Sequence, residues 1–162
     1  MRFLIVLFLL SLASTSYAQN SELDLFFDQY IGSFNSYLEA SDDLDVSTIT
    51  QHFAEPALQM PLKGAPRLMM KYTDLNKGYA RFLSMLKDKG GVKLEWEKKQ
   101  VVRLSDDKAL ASNIARILDK NGLVVDRRSS IYTLYKSPIG WKIAIIQSHA
   151  VDRVPLLAPK GV

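Results

Sequence analysis

Few side chains in this sequence are suited to moving a proton or holding an anion. They are His52, His149, the tandem Arg127-Arg128, and Asp126 beside them. An imidazole titrates near neutral pH and often acts as a general base, and a carboxylate can do the same in dry surroundings. A guanidinium, amide or phenol facing the same space would donate to a developing oxyanion, or would simply anchor a carboxylate or carbonyl. In this chain the base would be His149 or Asp126, and the donors Arg128, Asn113 or Tyr132. Each residue also has a plainer use: a strand-end histidine bonded to backbone, arginines paired across strands, a tyrosine packed in a core. His52, next to Phe53, reads first as a helix-surface or core histidine. There is no cysteine, and the two histidines lie far apart, so no metal motif exists and no metal is expected. Neither a Gly-x-Ser-x-Gly elbow nor a phosphate-binding glycine loop occurs, and no cofactor is expected. The pairs Asp42-Asp43 and Asp106-Asp107 fall in turn-like stretches, where both carboxylates would be solvated.

Whether the candidates meet depends on strand parity, because alternate residues face opposite sides of a sheet. From Val92 the apolar period is two, and Leu94, Trp96, Val102 and Leu104 form an apolar row expected to face inward. A two-residue turn at Asp106-Asp107 pairs Leu104 with Ala109 and Val102 with Ala111. The next inward row is then Ala109, Ala111, Asn113, Ala115 and Ile117, small enough to leave room. Two readings of the following turn stay open. A two-residue turn at Asn121-Gly122 pairs Ile117 with Asp126 and points Asp126, Arg128, Ser130, Tyr132 and Leu134 inward. A type I turn over Asp119 to Gly122 with a glycine bulge points Arg127, Ser129, Ile131 and Thr133 inward instead. The first is favoured. The last strand, Trp141 to Ala150, carries Trp141, Ile143, Ile145, Gln147 and His149 on one face, and this row is expected to run from a packed base to a polar rim.

Helices come before these strands. Leu23, Phe26, Phe27, Tyr30, Phe34, Tyr37 and Leu38 recur at helical spacing. A short second helix is expected with Asp45 as its cap, Val46, Ile49 and Phe53 on its apolar face, and Pro56 ending it. Short extended segments flank Lys63-Gly64. A third helix is expected from Thr73 or Asp74, with Leu75, Tyr79, Phe82, Leu83 and Leu86 on one face and Gly90-Gly91 closing it. Helices first and strands last make an α+β fold: three helices packed on a curved, mainly antiparallel sheet.

The start of the chain reads as an address. Arg2, an apolar run from Phe3 to Leu10 and the small-residue step Ser16-Tyr17-Ala18 make a secretory signal peptide over 1–18. One domain over 19–154 and a loose, proline-bearing tail over 155–162 follow. The protein is expected to be exported, to the periplasm or beyond, and to have no membrane contact once the signal is removed. The formal charge of +4 is mild and the basic residues are scattered, so nucleic acid is not an expected partner.

The helix "LDLFFDQYIGSFNSYLEA", the segment "ITQHFAEPALQMPLKG", the helix "LNKGYARFLSMLK" and the ending "SSIYTLYKSPIGWKIAIIQSHA" together resemble the nuclear transport factor 2-like superfamily, which includes SnoaL-like and ketosteroid-isomerase-like proteins. "ALASNIARILDKNG" followed by "RRSSIYTLY" and "GWKI" looks like one bacterial subfamily of it. The resemblance implies a cone in which the sheet wraps the helices around a cavity, and pairing of two copies through the outer sheet face. Trp96, Asn113, Arg128, Tyr132 and His149 would line the cavity. His52, Arg116 and Arg127 are secondary candidates, Arg116 through the subfamily resemblance alone. The expected ligand is a small, partly apolar or anionic molecule. An isomerase-type enzyme and a non-catalytic dimer module are the alternatives.

Overall fold

The computed structural model describes residues 22–40 and 45–152. The expected signal peptide and tail lie outside the described residues. Helix α1 occupies 22–39, and all seven of its helically spaced apolar residues are buried. α2 (Ser47–Thr50) is a single turn, and the Asp45 carboxylate accepts the Ser47 N–H at 2.9 Å at its start. α2 is shorter than expected. Phe53 does not sit on it but opens strand β1 (Phe53–Met60), and Pro56 lies within that strand. β2 (Arg67–Met69) pairs back on β1. α3 (Tyr72–Asp88) begins slightly ahead of the expected caps, and Asp74 accepts the Lys71 N–H at 3.3 Å to close its first turn. Four long strands follow: β3 (Lys93–Ser105), β4 (Lys108–Leu118), β5 (Val124–Ser137) and β6 (Gly140–Ser148).

The sheet has six strands in the order β2-β1-β6-β5-β4-β3. The β3–β6 meander is antiparallel, as expected, but β1 joins it by running parallel to β6. The fold is therefore α+β with a mixed, open sheet whose edges are β2 and β3. Phe27, Tyr30, Ile49, Phe53, Leu83, Ile117, Leu134 and Ile143 are fully buried between helices and sheet. Each such side chain contributes roughly 1.5–3 kcal/mol of transfer free energy. Asn35 ties α1 to the sheet: its amide donates to Leu94 O at 3.1 Å and accepts the Leu94 N–H at 2.7 Å.

Bulges curve the sheet and reverse parity. On β3 the register shifts between Trp96 and Lys98 and again between Arg103 and Ser105. Leu94 and Trp96 face inward as expected, but Val101 then takes the inner position opposite Ala111. Val102 and Leu104 turn outward, and Leu104 is 57% exposed. The inner row of β4 is nevertheless the expected one. β5 adopts the favoured pairing, Ile117 with Asp126 and Ala115 with Arg128. The route to that pairing is unexpected. The turn is the Asp119–Gly122 type, with Gly122 N–H donating to Asp119 O at 3.0 Å and Gly122 at φ +78°. A bulge between Val124 and Asp126 then restores the parity that this turn reverses. On β6 the extra residue is Ala144, because Leu134 pairs with Ile143 and Thr133 with Ile145. Ile146 and Ser148 therefore face inward beyond it, and Ile145 and Gln147 face outward, against the expected row.

Candidate functional site

A cavity of about 570 Å³ lies between the inner face of the sheet and helices α1 and α3. α1 contributes Tyr30 and Phe34, and α3 contributes Leu75, Tyr79 and Phe82. Trp96, Asn113, Tyr132 and Ile146 come from the sheet. The end of β6 and the residues after it, Ser148 to Asp152, form one side of the mouth. The bulge just past Trp96 and the one at Ala144 decide which side chains of β3 and β6 reach this space. Small residues on β4, such as Ala115, leave the room.

The wall is mostly apolar, and its charged lining residues are Arg127, Arg128 and Asp152. Asn113 and Tyr132 are buried, and the Asn113 amide donates to the Tyr132 hydroxyl at 3.1 Å. The Tyr30 and Tyr79 hydroxyls share a bond of 3.1 Å. Burial pushes all three phenols above their ordinary value, so they keep their protons at physiological pH. The Trp96 indole Nε1 is buried and has no hydrogen-bond partner among the described residues. His149 lies just past the strand. Its N–H donates to Ser129 O at 3.2 Å, and Ser129 Oγ donates to its carbonyl. His149 Nδ1 is 2.9 Å from Ala150 O. A carbonyl only accepts, so in the neutral ring Nδ1 carries the proton and Nε2 is the free acceptor. That Nε2 is also buried without a partner among the described residues.

The structure thus brings Trp96, Asn113, Tyr132 and His149 to one cavity. Arg128 reaches only its mouth. Its side chain is 44% exposed, sits 5.5 Å from the Phe82 ring centroid and donates to Asp126 at 2.7 Å. This guanidinium is not the desolvated interior cation expected from its row, because its long side chain follows the inner face out to the open end of β5. Asp126 does not line the cavity. Partial burial pushes its carboxyl up, but hydrogen bonds from Lys89 and Arg128 outweigh this and hold it below the usual aspartate value. Arg127 borders the cavity and pairs with Glu97, whereas Arg116 pairs with Glu95 at 2.9 Å on the outer side. His52 faces away from the cavity. It packs edge-on against Phe26 and Tyr30 and lies 3.4 Å from Ser33 Oγ beside a separate surface hollow. Tyr30, Tyr79 and Ser148 line the site without being foreseen as site residues. The two tyrosines looked like ordinary members of apolar helix faces, and Ser148 was hidden by the β6 bulge. Among the described residues no cluster is placed to hold a metal ion, and no described helix is long and apolar enough to cross a membrane.

A cone of three helices against a bulged, open sheet, with a mostly apolar cavity between them, defines an NTF2-like α+β protein. The family model described as NTF2-like protein (DUF6841) matches residues 21–151, and the chain belongs to that family. Among solved structures, an NTF2-like protein with a cystatin-like fold from Novosphingobium aromaticivorans is 13% identical, with a TM-score of 0.65 over 88% of each chain. Aln2 from a Streptomyces species is 13% identical, with a TM-score of 0.64 over 82% of this chain and 91% of that one. A ketosteroid isomerase-like protein from Erwinia carotovora atroseptica is 18% identical, with a TM-score of 0.55 over 81% and 95%. These likenesses concern the fold. No curated protein matches the sequence.

Proposed function

We propose that this protein is an exported binding protein whose cone cavity takes a small, largely apolar organic molecule. The observation that carries this reading is the cavity itself. It has the size of a small-molecule site, is walled by aromatic and aliphatic side chains, and contains a few convergent polar groups. A ligand that binds the folded chain alone stabilises it by mass action. A thermal-shift screen of small aromatic ketones, carboxylates and hydrocarbons therefore tests the reading. Saturable stabilisation by at least one class is expected. Filling the space with Ala115→Leu should abolish that gain, and a screen without any saturable shift would reject the binding role.

One observation favours an enzyme as the second reading. His149 lines a cavity that also holds phenol and amide groups, and its Nε2 is buried without a partner among the described residues. Such a pairing of base and donors suits proton abstraction next to a carbonyl. Asp126 is no longer needed as the base, since it is tied to Lys89 and Arg128 outside the cavity. Solvent deuterium exchange into an enolisable aromatic ketone, lost in His149→Ala, would support this reading over simple binding.

A further inference from the structure

We propose that the Trp96 indole N–H is the donor that recognises the ligand of this cavity, and that this ligand is an uncharged aromatic carbonyl compound. The inference rests on the cavity being a binding site and adds what it selects. Buried polar groups in folded proteins nearly always have a partner, so an orphan among them needs an explanation. Of the other donors lining the cavity, the Asn113 amide donates to Tyr132, and one of the Tyr30 and Tyr79 hydroxyls donates to the other. Ser112 Oγ and Trp141 Nε1 are also without a partner among the described residues but do not line the cavity. Trp96 Nε1 has no partner among the described residues, and Trp96 lines the cavity. The ladder is broken immediately after it, between Trp96 and Lys98. Bulges are over-represented next to functional sites, and this one ends the regular pairing just past Trp96.

An indole N–H only donates, so its partner must be an acceptor. The acceptor must also be uncharged. Among the lining residues the only fixed charges are Arg127, Arg128 and Asp152. Arg127 is committed to Glu97, and Arg128, at the rim, to Asp126. A carboxylate drawn inside would lose its hydration and find no free counter-charge, whereas a carbonyl needs one donor. The body of the ligand should be aromatic, because Tyr30, Phe34, Tyr79, Phe82, Trp96 and Tyr132 offer ring faces and edges on several sides. The N–H is shielded from water in the empty cavity, so the ligand reaches it through a small rotation of the indole as its ring packs there.

The test uses the ¹⁵N-labelled full chain and three probes of one shape: 2-acetylnaphthalene, 2-ethylnaphthalene and 2-naphthoate. The two tryptophans give two indole N–H resonances, which Trp96→Phe or Trp141→Phe assigns. The ketone should bind about tenfold more tightly than either other probe, as expected for one buried hydrogen bond. It should also move the Trp96 indole proton downfield, which the hydrocarbon should not do. In Trp96→Phe the ketone should lose its advantage, so that ketone and hydrocarbon bind with equal affinity, whatever change the smaller ring makes to both. Equal binding of ketone and hydrocarbon without an indole shift, or tighter binding of the naphthoate, would overturn the proposal and leave the binding role intact. If no probe shifts any cavity resonance, both fail together.

Discussion

His52 illustrates how burial, more than residue type, sets a side chain's chemistry. Its burial, helped by the Lys142 charge, lowers its pKa from 6.5 to about 4, so at neutral pH it is an uncharged packing group. Between those values the unfolded chain binds a proton that the folded chain refuses. Stability from this residue is therefore complete above about pH 6.5, falls as the pH drops towards 4, and levels off below. Urea midpoints at pH 7 and pH 5 should show this loss in wild type and a smaller one in His52→Gln. Arg128→Ala should change stability by no more than about 1 kcal/mol, since its pair is half in water. It should leave the thermal shift of a neutral ketone in place, and loss of that shift would make Arg128 the anchor. The residue types at the site were readable in the sequence, and Trp96, Asn113, Tyr132 and His149 do share one cavity. The reach of a long side chain was not. Arg128 sits in the expected row, but its guanidinium leaves the interior to meet Asp126, a partner only two residues away.

At the scale of elements, the helix faces were legible because an apolar period of 3.6 residues suits a helix and no strand, and every apolar position foreseen on α1 is buried. Parity was legible only between bulges. The bulge residues carry no sequence mark: Glu97 and Ala144 are ordinary strand residues, yet each inverts the facing of the residues after it. The turn before β5 shows the limit well. Asp119 and Gly122 form the turn that would have reversed the row, and the bulge at Val125 cancels the reversal. The corner between α3 and β3 is more constrained than its glycine pair suggests. Gly90 adopts φ +80° at the helix end. Gly91 is buried, and a Cβ there would stand 2.6 Å from Ile117 Cγ2 and 2.9 Å from Leu86 O. Gly91→Ala should therefore cost about 1–3 kcal/mol through overpacking. Equilibrium denaturation would measure it, and a change below about 0.5 kcal/mol would mean that the corner yields freely.

For the whole molecule, the outer face of the sheet presents Leu58, Met60, Leu110, Ile131 and Ile145, all partly exposed, among polar neighbours. Self-pairing through such a face is the expected assembly. Light scattering at micromolar concentration should give twice the monomer mass, and Ile131→Glu should restore the monomer. A monomeric wild type would remove the dimer from consideration. Mass spectrometry of protein from its native compartment should find an N-terminus at Gln19 or within a residue or two of it, and an intact Met1 on soluble protein would contradict export. The position of β6 bears on how the protein is made. This strand comes last in the sheet's chain order, yet it lies between β1 and β5 and supplies the only parallel joint among the described strands. A nascent chain that has not reached Gly140 holds both halves of the sheet with nothing to join them. Pairing of β6 is therefore the late, long-range step that closes the cone, and the two halves of the sheet stay open to each other until that strand is available.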